Sequence, residues 1–144
     1  MSLPGRIAPL ARDLEIVRRE GIRAIASLTE RPLDPKALRE AGLVARHIPI
    51  EDFSVPTIDQ AKEFCAFVDE HLERNEAVAV HCFAGLGRTG TLIACWLVRD
   101  ASASARGILD SIRKIEPGFV QTAEQEAFIA VWESACKSGR PPRG

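Results

Sequence analysis

At 144 residues the chain is sized for one domain, since two hydrophobic cores would leave too little sequence for either. Its 46% hydrophobic and 27% charged residues match ordinary globular usage and exclude a disordered or low-complexity chain. A net charge of -1 excludes a basic field over the whole molecule, so nucleic-acid tracking is not expected and any anion site has to be local.

The opening Met1-Ser2-Leu3-Pro4-Gly5-Arg6 lacks the charged-then-apolar layout of a signal peptide, and no run of 18 apolar residues occurs anywhere. A cytoplasmic protein with no membrane part is expected. Arg12 to Glu20 carries Leu14, Ile16 and Val17 at helical spacing and stops at Gly21, a natural C-terminal breaker. Ile22 to Leu28 predicts a strand, a Pro-led helix follows around Lys36 to Ala41, and Leu43 to Ile50 predicts a second strand. Thr57-Ile58-Asp59-Gln60 reads as a capping box that opens a helix to about Asn75. Its apolar stripe holds Ala61, Phe64, Cys65, Val68 and Leu72, which makes Cys65 a packing residue.

Ala77 to Val80 is apolar without alternation, the pattern of a strand buried on both faces, and is expected to be the central one. The stretch Thr91 to Val98 is apolar all round and predicts a buried helix. Helices over Ala103 to Ile115 and Thr122 to Ala135 follow, divided by Glu116-Pro117-Gly118, which cannot continue a helix. The expected fold is α/β: a mostly parallel sheet of about four to five strands flanked by helices, with a helical C-terminal part. One domain over residues 1–144 is expected, with 137–144 as a frayed tail.

Four cysteines, at 65, 82, 95 and 136, form no C-x-x-C pair, and His47, His71 and His81 lie far apart in the chain. No metal site and no cofactor are expected. The chemistry concentrates in His81-Cys82-Phe83-Ala84-Gly85-Leu86-Gly87-Arg88-Thr89-Gly90, which joins a buried strand to a helix N-terminus. There backbone N–H groups and the helix dipole favour an anion, and the five residues between Cys82 and Arg88, mostly small and two of them Gly, let the chain curl around it. Phe83, Ala84, Gly85, Leu86 and Gly87 are candidate phosphate-binding residues through their backbone. Arg88 can hold two phosphoryl oxygens with its planar fork, and Cys82 sits where the same groups stabilise a thiolate. Thr89 is a candidate donor to that sulfur.

Three other readings compete for this stretch. Gly85 to Gly90 matches G-x-G-x-x-G literally, but no strand ending in an acidic residue follows about 20 positions later, as a dinucleotide site needs. A Walker A loop fails because no Gly-Lys precedes the hydroxyl residue. A merely buried thiol is the natural reading of an isolated cysteine, and the spacing to Arg88 argues against it.

That spacing, His81-Cys82-x5-Arg88-Thr89-Gly90, resembles the signature loop of the protein tyrosine phosphatase superfamily. The run Gly85 to Cys95 resembles the small atypical dual-specificity phosphatases and the mitotic-exit type, and Ser27-Leu28-Thr29-Glu30-Arg31 is similar to the former. The likeness covers Pro4 to Trp132. Low-molecular-weight phosphatases and arsenate reductases carry their loop near the N-terminus, and rhodanese-like loops are usually a residue shorter.

The resemblance implies Cys82 as nucleophile and Arg88 as phosphate clamp. A separate carboxylic acid must protonate the leaving oxygen. Glu51-Asp52-Phe53-Ser54-Val55-Pro56 is an irregular segment with two carboxylates, of which Asp52 resembles the family's general acid. Glu51 as the acid, and both as solvated turn residues, stay open. Val120-Gln121-Thr122-Ala123-Glu124-Gln125 resembles the glutamine loop that places the hydrolytic water, with Gln121 in that role and Gln125 beside it. Local pattern alone makes Thr122 and Gln125 a capping box. His81 is implied to brace the loop from beneath, although a satisfied core histidine has the same signature. Cys95 and Cys136 are assigned to packing, with a disulfide to oxidised Cys82 left open.

Hydrolysis of phosphotyrosine, and with it phosphoserine and phosphothreonine, in phosphoprotein or phosphopeptide partners is what the resemblance implies. The chain has no tyrosine and no spare segment for a deep aromatic pocket, and the uncharged Phe83, Ala84 and Leu86 argue against inositol lipids. A catalytically weak phosphoresidue-binding module and an RNA 5'-phosphatase are the alternatives, and a monomer is expected.

Overall fold

The computed structural model describes residues 1–139. In chain order the elements are α1 (Leu10–Arg19), β1 (Ile22–Ser27), α2 (Pro35–Glu40), β2 (Val44–His47), α3 (Ile58–Glu73), β3 (Ala77–His81), α4 (Gly87–Ala101), α5 (Ala105–Ile115) and α6 (Ala123–Ser138). Local chemistry sets most of the boundaries. Gly21 takes φ +86° just past Glu20, the residue that caps α1, Asp34 accepts from Lys36 N at the start of α2, and Thr57 with Gln60 forms the full capping box of α3.

The strands form one parallel sheet in the order β2-β1-β3, so among the described residues it has three strands rather than four to five. The reason lies in the ends of the chain. Pro4, Gly5 (φ +82°) and Pro9 keep the N-terminal segment from pairing as a strand, and everything after β3 is helical. The order also corrects the expected centre: β1 lies between the other two, and β3 is an edge strand whose first residue, Ala77, is exposed. With only one strand on each side of β1, the run most buried on both faces is Ala24 to Ser27.

Two apolar layers cover the sheet. On one face Leu14 and Val17 of α1 and Leu38 of α2 pack with Ile25. On the other, Phe64 of α3, Leu92 and Val98 of α4, Ile108 and Leu109 of α5, and Ile129 and Trp132 of α6 form the larger core. Trp132 is 1% exposed and donates from Nε1 to the Cys95 carbonyl at 2.8 Å, satisfying its polar atom inside that core.

The helices depart from the sequence reading in four places. α4 begins at Gly87 rather than Thr91, because the loop's own last residues already wind into the helix. Ile16 is half exposed, and only Leu14 and Val17 of α1 face the core. In α3, Leu72 is exposed while Phe67 and His71 are buried. His71 tolerates that position because its Nδ1 lies 2.6 Å from Glu76 Oε2 and its ring meets Phe67 edge-on at 4.7 Å. α6 runs to Ser138, so Lys137 and Ser138 are helical, and residues 140–144 of the expected tail lie outside the described residues.

Candidate active site

β3 ends at His81, and the chain curls from Cys82 to Leu86 before α4 takes over at Gly87. The curl uses Gly85 at φ +79°, open to glycine at no steric cost. Leu86 precedes the helix without a capping side chain, so no side chain competes for the first N–H groups of α4. Cys82 Sγ lies at the floor of this curl, 2% exposed. It accepts from Gly85 N at 3.2 Å and from Thr89 Oγ1 at 3.1 Å. Burial pushes the Cys82 thiol up, but the Thr89 hydroxyl and the backbone N–H groups of Thr89, Gly85 and Leu86 outweigh it and hold the group below its ordinary value. The result is a larger share of nucleophilic thiolate.

His81 is fully buried behind the sulfur, with Nδ1 3.2 Å from the Cys82 carbonyl. A carbonyl only accepts, so Nδ1 carries the hydrogen. Burial drives the ring down to about 4, more than the Cys82 contact restores, and the positive charges nearby press the same way. His81 is therefore neutral near pH 7. His47 and His81, distant in sequence, sit at the same level of the sheet on either side of Ser27. Among the described residues, no group of three or more His, Cys, Asp and Glu converges as metal ligands would.

Arg88, 2% exposed, is the meeting point of two further loops. Its Nη1 donates to the Ile50 carbonyl at 2.8 Å and lies 3.3 Å from Glu30 Oε2, while Nη2 lies 3.1 Å from Asp52 Oδ1. Its Nε has no hydrogen-bond partner. Of the two carboxylates weighed in segment 51–56, Asp52 is the one at Arg88. Glu51 is exposed and gives its backbone carbonyl to Ser54 N. Phe53 follows Asp52 at φ +61°, donating its N–H to Asp52 Oδ1 at 2.9 Å. A bulky residue in that region is strained, and the same Oδ1 that accepts from Phe53 N is the one that faces Arg88.

The 120–125 segment reaches the same centre. Val120 N donates to the Leu86 carbonyl at 3.2 Å, and Val120 takes φ +63°, costly for a buried β-branched residue. Gln125 is fully buried; its Oε1 accepts from Gln121 N at 2.8 Å and Thr122 N at 3.2 Å, and its Nε2 donates to the Ser54 carbonyl at 3.1 Å. The capping box read from the sequence is present, and the same glutamine also ties the glutamine segment to the acid segment. Gln121 points at the loop's end: a Cβ on Gly87 would lie 2.6 Å from Gln121 Oε1.

The other cysteines stand apart. Burial pushes Cys65 up to about 12, and raises Cys95 and Cys136 as well, which keeps them as thiols. Cys95 lies over two turns along α4 from Gly87, about 12 Å along the axis.

Two participants went unassigned in the sequence. Glu30 stood inside the quoted Ser27 to Arg31 run without a role; in the fold it joins Arg88 to the acid segment by accepting from Asp52 N at 2.9 Å. Its own backbone N–H and that of Asp52 hold it below the usual carboxylate range, with Arg88 adding to the effect. The N-terminal segment also reaches the loop, through Leu3 N on the Phe83 carbonyl at 3.0 Å. No local pattern announces that contact.

Residues 1–102 match the family model described as "Polymorphic toxin system, DSP-PTPase phosphatase". The chain is 32% identical over 117 residues to the "Tyrosine-protein phosphatase CDC14 homolog" of Schizosaccharomyces pombe, covering 81% of this chain and 22% of that protein. It is 31% identical over 116 residues to the "Dual specificity protein phosphatase CDC14C" of Homo sapiens, covering 81% of this chain and 25% of that one. The chain thus spans about a quarter of the length of these curated relatives. Among solved structures, Tk-PTP in the active form superposes with a TM-score of 0.83 at 31% identity, over 92% of this chain and 88% of that one. Kinase associated phosphatase, at 23% identity and a TM-score of 0.87 over 96% of this chain and 86% of that one, shares the fold.

Proposed function

Because the chain belongs to the DSP-PTPase family of phosphatases, we propose that it is a cysteine-dependent phosphatase of phosphoproteins, hydrolysing phosphotyrosine and also phosphoserine and phosphothreonine monoesters. The observation that carries this reading is the joint position of Cys82, Arg88 and Asp52: a hydrogen-bonded sulfur, a buried guanidinium in the same loop, and a carboxylate 3.1 Å from that guanidinium.

In the proposed reaction the substrate's phosphoryl oxygens accept from the N–H groups of Phe83 to Arg88 and from the Arg88 guanidinium. The unpaired Nε–H of Arg88 is a donor already in place for this. The incoming dianion draws Arg88 away from Glu30 and Asp52, and its charge raises the proton affinity of the Asp52 carboxyl. Cys82 Sγ attacks phosphorus, the ester P–O bond breaks, and Asp52 delivers its proton to the leaving oxygen. A phosphocysteine remains. Water held by Gln121 then attacks phosphorus, Asp52 accepts its proton, and inorganic phosphate departs with the thiolate restored. His81 braces the Cys82 backbone throughout, and Gln125 keeps the acid and glutamine segments in register.

Within the loop itself Phe83, Ala84 and Leu86 are uncharged and no lysine is present, which supports a monophosphorylated side chain over a polyanionic inositol headgroup. We assign the activity to a cytoplasmic monomer; among the described residues no helix is long and apolar enough to cross a membrane. The test is hydrolysis of para-nitrophenyl phosphate and of phosphopeptides, inhibited by vanadate and indifferent to chelators. Turnover surviving Cys82→Ser refutes the mechanism.

A further inference from the structure

The loop that would hold the phosphate has one charged side chain, Arg88, and it points inward and is buried. A second cation is brought to its outer rim by a remote segment. Phe83, the residue after Cys82, is 44% exposed, and the guanidinium carbon of Arg6 stands 4.3 Å from its ring centroid. Two backbone contacts fix this arrangement. Leu3 N donates to the Phe83 carbonyl at 3.0 Å, and Gly5 N donates to Asp13 Oδ2 at 2.8 Å, anchoring the segment to both the loop and α1. Asp13, the carboxylate nearest along this segment, is thereby engaged in holding the backbone.

Stacking determines what Arg6 can do. A guanidinium lying over an aromatic ring uses its face for the cation–π contact and leaves its in-plane N–H donors directed outward, where they match the two oxygens of a carboxylate. Phe83 also restricts the rotamers of a long side chain, so less entropy is lost when a partner binds. Arg6 is exposed and lies over the residue adjoining Cys82, within reach of groups that flank a phosphate bound in the loop.

We propose that Arg6, stacked on Phe83, is a specificity-determining residue that selects phosphopeptides carrying an aspartate or glutamate beside the phosphoresidue. This rests on the protein-phosphatase reading above. A rim charge acts mainly on encounter and is screened by salt, so the preference should be a few-fold to about tenfold at low ionic strength and shrink as salt rises.

The experiment uses two arms. Turnover of para-nitrophenyl phosphate and of a neutral phosphopeptide tests the phosphatase reading by itself. Binding of fluorescein-labelled phosphopeptides to the Cys82→Ser protein, followed by anisotropy, tests the selectivity without needing turnover. The peptides share one phosphoresidue and carry Glu, Gln or Lys at each flanking position. The expected result is tighter binding of a Glu peptide than of its Gln counterpart, a Glu/Gln ratio falling to about one in Arg6→Ala, and a preference reversed toward Lys in Arg6→Glu. Phe83→Leu, which keeps an apolar side chain but removes the ring, should reduce the ratio with Arg6 still present. A Glu/Gln ratio that is one in the parent protein, or unchanged in Arg6→Ala, overturns the proposal. So does a preference that persists undiminished at 0.5 M salt, on the order of a 4 Å screening length.

Discussion

The hydrogen bond from the Thr89 hydroxyl to Cys82 Sγ, 3.1 Å long and fully buried, is the largest of the contacts that lower the thiol against the cost of burial. Thr89→Val keeps the side chain's volume and β-branching and removes this donor alone. A hydrogen bond to a charged group contributes roughly 1.5 to 3 kcal/mol. At 1.36 kcal/mol per unit, the Cys82 pKa should rise by about one to two units. The N–H groups of Gly85, Leu86 and Thr89 remain, so the thiolate still forms, but at higher pH. The pH dependence of iodoacetamide alkylation at Cys82 reads the shift directly in the free protein. The acidic limb of the kcat/KM profile should move alkaline by the same amount, with activity partly recovered at high pH. An unmoved alkylation midpoint would refute the idea that Thr89 tunes the nucleophile, and would leave the helix N–H groups as the sole source of the depression.

Three further outcomes follow from the same contacts. Asp52→Asn should lower kcat by about 10² to 10⁴ for substrates with poor leaving groups and flatten the basic limb of the profile; an intact limb would direct attention to Glu51. Gly87→Ala places a Cβ 2.6 Å from Gln121 Oε1, so it should push the Gln121 amide out of its position and slow phosphocysteine hydrolysis, visible as a burst of para-nitrophenol before a reduced steady state. His81 is held down to about 4 against an ordinary 6.5, so the unfolded chain binds a proton that the folded one refuses as pH falls between those values. Folding stability from denaturant titration should therefore drop by on the order of 3 kcal/mol over that window, and His81→Gln should lessen the drop.

The sequence by itself determined everything that depends on neighbours along the chain. Cys82, Gly85, Arg88 and Thr89 lie within one strand-to-helix turn, so their spacing alone builds an anion site; the capping boxes at Thr57 and Thr122 are likewise local hydrogen bonds between residues three apart. Tertiary structure decided what depends on which segments come together. β1 is the central strand because β2 and β3 add to its opposite edges, and an apolar run such as Ala77 to Val80 reads the same at either position. Asp52 rather than Glu51 meets Arg88, and the Phe53 that follows takes a left-handed conformation that no local rule assigns to phenylalanine. Val120 does the same before Gln121. Glu30 and Arg6 lie 58 and 82 positions before Arg88 in the chain. Only the parallel sheet, which sets the ends of β1 and β3 side by side, brings Glu30 to the clamp, and only the Leu3 contact with Phe83 carries Arg6 to the rim.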